Sequence, residues 1–585
     1  MGRNTLNNSL RPEQTAIKCL QVNLHHSRAA TANLIRTIAE EGTDIVFIQE
    51  PYIIQNKVAG ISKKYKIYTA PEGRCRAAIV VTSNKLDTML IQQLSDADTV
   101  TVEITNGNTN IIAASMYFDR LKPIAHDLAK RERAIRYAKG TAVLFAMDSN
   151  ARSTLWHDRL TNTRGRILEE FLTSKQLYIA NIDSDNTTFR NSLGTSNIDL
   201  TIISTHLLNN VKGWTICDQE SISDHNFIQF YIQQSRDLLH SEFAPKFRYK
   251  TNKETITKFL ANLHRILKTE FQIQHNETSE LTLDEILCSL LNTDTAVEKY
   301  IDDFCETLIK ACNLSFNKYT TTKRTSTQKT VPWWNTDLTV QRKRTNAFRR
   351  LYQRTKNNAE LREKRKIQYL ESKATYSASI KSAKLKSWKE YCNTTTATNH
   401  WNMVYKLAAG KRHASVTLTT LLKPDGTLTA STIETLSLMM DSFTPVDNEQ
   451  DDNEYHKLVR TQTQQPPDTP DDREFTIDEI RSAVDSMNNR KAPGEDGITG
   501  EIFYQVFHML PKTITAMYNS CLRNGIFPKR WKKALLIPIT KHGKENSYEV
   551  TKYRPISLLN VEGKVLEKVL INRINHHVFT NGHKK

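Results

Sequence analysis

The sequence predicts an α/β fold of two packed sheets with helices outside over residues 15–232, followed by a mainly helical and strongly basic region. Three observations carry this reading. Short apolar runs alternate with amphipathic ones as far as residue 232, helical periodicity takes over beyond about residue 235, and the positive charge is concentrated rather than spread.

The strand-like runs come in order as AIKCLQVNL, DIVFIQE, RAAIVVTS, TVTVEIT, TNIIAASMYF, TAVLFAMDSN, SNIDLTIIST and SDHNFIQFYI, each short and rich in β-branched or apolar residues. Between several of them lie amphipathic segments, such as 28–41 and 164–176, that read as helices. In KFLANLHRILKTEF the apolar residues recur at spacings of three and four, and the long stretch from FRRLYQ to KSWKEYC contains neither Pro nor Gly. Ile380, Trp388 and Tyr391 share one face of that predicted helix. Residues 235–449 thus read as a helical, basic, nucleic-acid-binding connector, and the acidic, Gln- and Pro-rich residues 450–471 as a linker. Thr476 with Glu479 three positions on forms a capping box, so a further domain occupies 472–585.

Composition narrows the partners. No apolar run approaches the roughly 18 residues of a spanning helix, so no membrane partner is expected. The N-terminal MGRNTLNNSLRPEQ has no secretory apolar core, and Leu6 breaks the myristoylation pattern. Eight cysteines without a CxxC pair indicate neither a zinc finger nor a disulfide framework, which suits a reduced intracellular compartment. Of the net charge of +18, nearly all lies between Lys323 and Arg412, where 22 Lys and Arg face 5 acids. Such a band can displace counterions from phosphates, with Arg342, Lys343, Arg344, Arg349 and Arg350 as phosphate contacts. A solvated face of long helices is the plainer alternative.

The polar residues of the first domain fall at strand ends: Asn23 after LQV, Glu50 after IVFIQ, Tyr117 after SM, and Asp148 with Asn150 after VLFAM. Asp199 lies within SNIDLTII, and Asp224 and His225 precede the last strand. Strand ends along one sheet edge converge, so these groups can share a crevice. Glu50 and Asp224 are hard oxygen ligands suited to Mg²⁺. Asp148 can orient or deprotonate a water, Asn150 can donate to a developing phosphorane, and Asp199 can hold His225 in one tautomer. Each residue alone has a plainer reading as a turn, cap or core side chain; several strand ends carrying the required type together point to phosphodiester hydrolysis.

The series LQVN, IQEP, SMYF, MDSNARSTLW, SNIDL and SDH resembles the endonuclease/exonuclease/phosphatase family, and most closely the apurinic-like endonuclease domain of non-LTR retrotransposons. The resemblance implies a four-layered α/β sandwich and metal-dependent nicking of DNA that leaves a 3′ hydroxyl, with Mg²⁺, or Mn²⁺ in its place, and no organic cofactor. It places Asn23, Glu50 and Asp224 around the metal, Asp148 at the water, Asn150 at the transition state, and Tyr117, Asp199 and His225 around the scissile phosphate. Ser196 is a further phosphate contact. Ala146 and Met147 stand where the family often has a glycine before its Asp-x-Asn, and Trp156 follows the pattern of insect-type elements.

RKAPGEDGITGEIF, FPKRWKKALLIPITKHGK and YRPISLLNVEGKVLEKVLINRI resemble, in order, the first finger motifs of non-LTR reverse transcriptases, while VPWW and KSWKEYC resemble the segment that precedes them. Gly494 and Gly497 permit the tight turn of their loop. Polymerisation needs metal-binding palm aspartates, but the last aspartate here is Asp496. The chain therefore reads as a truncated polyprotein with an incomplete, inactive polymerase, an N-terminal endonuclease, target DNA and element RNA as partners, and the nucleus as its working compartment. Two alternatives are a phosphatase or phospholipase of the same fold and an inert nucleic-acid-binding remnant.

Overall fold

A computed structural model describes residues 16–580 except 71–72, 107–108, 192–193, 234–246, 274–280, 293–296, 321–330, 356–357, 399–416, 465–472, 489–490, 542–543 and 545–546. The chain forms two units. The first holds residues 1–242, 325–442 and 542–552; the second holds 243–324, 443–541 and 553–585. The basic region read as one connector is thus divided between them.

In the first unit, Ile17–Asn23 runs parallel to Ile45–Gln49 and antiparallel to Ile228–Ile232 within a six-stranded sheet. A second sheet is built around Ala142–Asp148, which lies parallel to Thr109–Tyr117 and antiparallel to Asp199–Ser204. Its far edge gains a seventh strand, Leu418–Thr419, parallel to Asp87–Leu90. Both faces of the central strands are buried, which is why they read as continuous apolar runs. Ile17, Cys19, Ile45, Phe47, Val102, Ala113, Leu144 and Phe230 fill the space between the sheets. Val22, Val46 and Ile48 face outward against the helix Arg28–Glu41. Phe145, Met147 and Leu200 face the helices Ile124–Ala138 and Thr163–Ser174 on the other side. Helix, sheet, sheet and helix make the expected four layers.

A polar clamp joins the sheets near the ends of these strands. Gln49 Nε2 donates to Ser115 Oγ at 3.0 Å and to the Ala146 carbonyl at 3.1 Å, and Gln21 Nε2 donates to the Met147 carbonyl at 3.1 Å. Unpaired buried amides are costly, so these bonds fix how the two sheets are set against each other.

The basic helices Thr336–Arg354 and Ala359–Thr398 form an antiparallel pair, with Thr345 bonded to Ser372 and Tyr352 stacked on Tyr369. The pair packs against the helix Arg28–Glu41 through buried Leu338, Tyr376 and Ile380. Trp388 and Tyr391, predicted to share the face of Ile380, are 45% and 41% exposed. Among the described residues no helix is long and apolar enough to cross a membrane.

The second unit packs Phe259, Leu263, Phe304 and Leu308 against Phe503, Val506, Tyr518 and Val565. The capping box forms between Thr476 and Glu479, and a helix, Glu454–Thr463, occupies part of the segment read as linker. Of the two loop glycines, Gly497 takes φ 74°. Gly494 instead makes room for Asn560, whose Oδ1 would lie 2.2 Å from an added Cβ.

Glu562 in this unit is 3% exposed with both carboxylate oxygens unpartnered. Burial, with Asp496 nearby, pushes its carboxyl up to about 8. An acid held neutral in the fold costs nothing below the ordinary carboxylate range and destabilises increasingly as the pH rises toward its folded value. Glu562→Gln is therefore expected to leave Tm unchanged near pH 5 and to raise it by about 4 °C or more near pH 9. Thermal melts at both pH values check this, and equal shifts would rule out a neutral buried carboxyl.

Candidate active site

The strand register assembles the centre. Asp148 lies opposite Tyr117 on one side and opposite Asp199 on the other, so three residues far apart in sequence stand abreast at one sheet end. Asn23 ends the adjoining strand of the other sheet, and Glu50 directly follows that strand's neighbour.

His225 binds this row together. Its Nδ1 lies 2.9 Å from both Asp199 carboxylate oxygens, and its Nε2 lies 3.8 Å from Asp148 Oδ2. Asn23 Nδ2 donates to the same Asp148 oxygen at 2.9 Å, and the Asn150 N–H donates to the other at 3.2 Å. Asp148 and Asp199 are each 2% exposed and His225 is 5% exposed. Burial alone would lower the His225 pKa, but the Asp199 and Asp148 carboxylates outweigh it and hold it at about 9. Burial also pushes the Asp148 carboxyl up, against the pull of His225. With two carboxylates flanking one imidazole, the shared proton resides on His225. Burial, Glu50 and Asp148 all raise the Tyr117 pKa, so its phenol stays protonated.

The backbone supporting these groups is strained. Glu50, Asn150 and Ile222 have φ of 44°, 46° and 64°, a region that β-branched Ile222 in particular avoids. Ser221 Oγ donates to the His225 carbonyl at 2.5 Å and Ser223 Oγ to the Asn23 carbonyl at 2.7 Å, which holds the SDH turn over the sheet end. Phe189 packs edge-on against the His225 ring at 4.8 Å.

Asp148, Asp199 and His225 each bring a ligand atom within 4.8 Å of the others, a buried acid and imidazole grouping whose ring, while it holds the proton, offers no lone pair to a metal. Glu50 and Asp224 add oxygen donors nearer solvent, with side chains 17% and 37% exposed, as a hard cation that keeps waters requires. The Asn150 side-chain amide donates to the Phe118 carbonyl at 2.9 Å. Ser196 sits half-buried opposite Phe189 in the hairpin beside the site. Trp156 is fully buried and anchors the loop that follows Asn150.

The basic residues divide. Arg349 is 2% exposed and donates to the Gln219 carbonyl and to Asn226 Oδ1, both at 2.9 Å, while Arg342 pairs with Glu40 at 2.7 Å. Both hold the helix pair to the sandwich, a correction to their reading as phosphate contacts. Each guanidinium spends donors on these contacts, Arg342 also on Gln219 Oε1 at 2.6 Å. Lys343, Arg344 and Arg350 are exposed.

Sequence reasoning missed Arg164, which donates to the Lys122 carbonyl at 2.7 Å behind the site and interacts with Asp148 and Tyr117. A cation in the first turn of a helix, where the dipole disfavours it, was the available signal. It also missed Arg190 and Lys373, which line a cavity beside Asp224.

The sequence profile of a family described as "Endonuclease-reverse transcriptase" matches residues 111–229. The retrovirus-related Pol polyprotein of type-1 retrotransposable element R1 from Bradysia coprophila is 25% identical over 89% of this chain and 50% of its own length. A putative 115 kDa protein in type-1 retrotransposable element R1DM from Drosophila melanogaster is 24% identical over 95% of this chain and 52% of its own. The chain thus spans about half the length of these relatives. Among solved structures, the endonuclease domain of TRAS1, a telomere-specific non-LTR retrotransposon, shares 31% identity with a TM-score of 0.35, covering 37% of this chain and 98% of that one. Residues 111–229 thus match an endonuclease-type family, and the chain as a whole is similar to R1-type non-LTR retrotransposon polyproteins.

Proposed function

We propose that the sandwich is a Mg²⁺-dependent DNA endonuclease that nicks one strand and leaves a 3′ hydroxyl from which element RNA is copied in the nucleus. The observation that carries the reading is the buried row of Asp199, His225 and Asp148, with Asn23 holding Asp148. Asp148 takes a proton from the attacking water as its oxygen bonds to phosphorus. The bond from phosphorus to O3′ breaks, the departing O3′ takes a proton from a solvent water, and the 5′ phosphate remains on the other fragment. His225, kept cationic by Asp199, donates to a phosphate oxygen, and the Tyr117 hydroxyl donates to another. A cation held by Glu50, Asp224 and the Asn23 side-chain oxygen would neutralise phosphate charge and acidify bound water. The 585 residues contain no aspartate beyond Asp496, so a protein of these residues is expected to nick without polymerising.

A supercoiled-plasmid assay with Mg²⁺ tests this. Wild-type protein is expected to nick, to stop on chelation, and to leave ends that a polymerase extends. Asp148→Ala and His225→Ala are expected to be slower by roughly a thousandfold. Nicking by wild type no faster than by these variants would overturn the reading.

A further inference from the structure

We propose that the basic helix pair forms one wall of a phosphate subsite beside the catalytic centre, where Lys366 and Lys373, facing Arg190, take a DNA backbone phosphate flanking the scissile bond. This rests on the endonuclease reading above. A cavity of about 60 Å³ is lined by Arg190, Asp224, Tyr352, Lys366, Tyr369 and Lys373, among others. Asp224 belongs to the oxygen-donor side of the site, so an occupant lies against the reaction centre.

The chemistry of the walls selects an anion. Lys373 Nζ donates to the Ser223 carbonyl at 2.8 Å and lies 3.5 Å from Asp224 Oδ1 and 3.9 Å from Glu220 Oε1. An ammonium has three N–H groups, and the carbonyl and Asp224 engage two, which leaves one for a ligand. The Arg190 guanidinium lies over the Tyr352 ring at 5.2 Å, and its Nε is buried without a hydrogen-bond partner. Among the described residues no carboxylate lies within ion-pair distance of it. A buried cation with an unmet donor is costly, and a phosphate oxygen would satisfy it. Among the described residues Lys366 pairs only with Glu363 on its own helix at 3.3 Å, a weak contact that a phosphate can replace.

The walls are also fixed in place. Tyr352 and Tyr369 stack with centroids 6.2 Å apart, the Tyr369 hydroxyl donates to buried Glu220 at 2.7 Å, and Arg349 ties the first helix to the 217–226 segment. The cations therefore stand ready without reorganising. Counting Arg349, the lining carries four cations against Asp224, with Glu220 buried behind it.

The test uses the full chain and binding, so that it does not depend on nicking. Anisotropy of a labelled duplex in EDTA is expected to show the slope of log affinity against log salt flattening by about one unit in Lys366→Ala/Lys373→Ala. Lys373→Arg should restore part of it. Lys386→Ala/Lys389→Ala, which removes equal charge elsewhere on the same helix, serves as the comparison. If that pair flattens the slope as much, the effect is general charge and the subsite is wrong.

A second arm replaces single phosphates around the mapped nick by neutral methylphosphonates. One flanking position is expected to weaken wild-type binding roughly tenfold and to have no effect in Lys366→Ala/Lys373→Ala. Identical responses at every position overturn the proposal. So does inorganic phosphate raising the wild-type Tm without any position-specific loss, since the cavity would then take a free anion. Wild type that binds but never nicks removes the endonuclease reading, and the salt arm still decides the subsite.

Discussion

Asp199→Asn is expected to slow nicking by roughly a thousandfold while leaving DNA affinity within about twofold. The carboxylate sits 2.9 Å from His225 Nδ1 and is the leading charge that keeps the imidazole protonated against burial. An asparagine amide fills the same volume and can still bond the ring, so the fold survives. It supplies no charge, and turned about it donates an N–H to Nδ1 and reverses the tautomer. Either way His225 loses its positive charge, with a bare Nε2 when Nδ1–H donates to the amide oxygen and a neutral Nε2–H when Nδ1 accepts. Asp199 touches the reaction only through His225, so the loss belongs in kcat and not in binding. Single-turnover nicking together with anisotropy measures both, and a rate within tenfold of wild type would show that His225 works without its partner.

Gly165→Ala is expected to destabilise the first unit by about 3 kcal/mol or more and to lower its Tm by roughly 6–12 °C. On helix propensity alone the change should stabilise by about 1 kcal/mol, so the two readings differ in sign. The tertiary contact decides. A Cβ on Gly165 would lie 1.8 Å from the Arg152 carbonyl oxygen, which already accepts the Asn162 N–H at 3.0 Å. Asn162 in turn caps the helix by accepting the Gly165 N–H at 2.8 Å. The clash is backbone against methyl, with no flexible side chain to yield, and relief must displace the loop that leads back to Asp148 and Asn150. Nicking should fall with stability. A Tm at or above wild type would mean that the loop is not seated on this helix.

The strands of the sandwich were legible because their signal is local. Runs such as IVFIQ and VLFAM are β-branched or apolar throughout and can be buried on both faces, and the capping box at Thr476 is a contact over three residues. Local signals misled where long-range packing took over. Arg349 reads as one more cation in a basic run, yet it is buried against carbonyls roughly 130 positions earlier in the chain. Gly494 reads as a turn glycine, but what excludes a side chain there is Asn560. The basic band reads as one connector, but its apolar stripe finds a partner on the helix Arg28–Glu41.

The sequence by itself determined the fold class, the strand order that delivers acids, amides and imidazole to one sheet end, and the motifs that mark the family. These depend on periodicity and residue type, which a chain displays before it folds. Only the tertiary structure decided that Tyr117, Asp148 and Asp199 stand abreast, that Gln21 and Gln49 clamp the sheets, and that Lys373 reaches Asp224 across 149 positions of sequence. Register, sheet packing and helix docking are set by the shapes of distant surfaces meeting, and no local pattern encodes them.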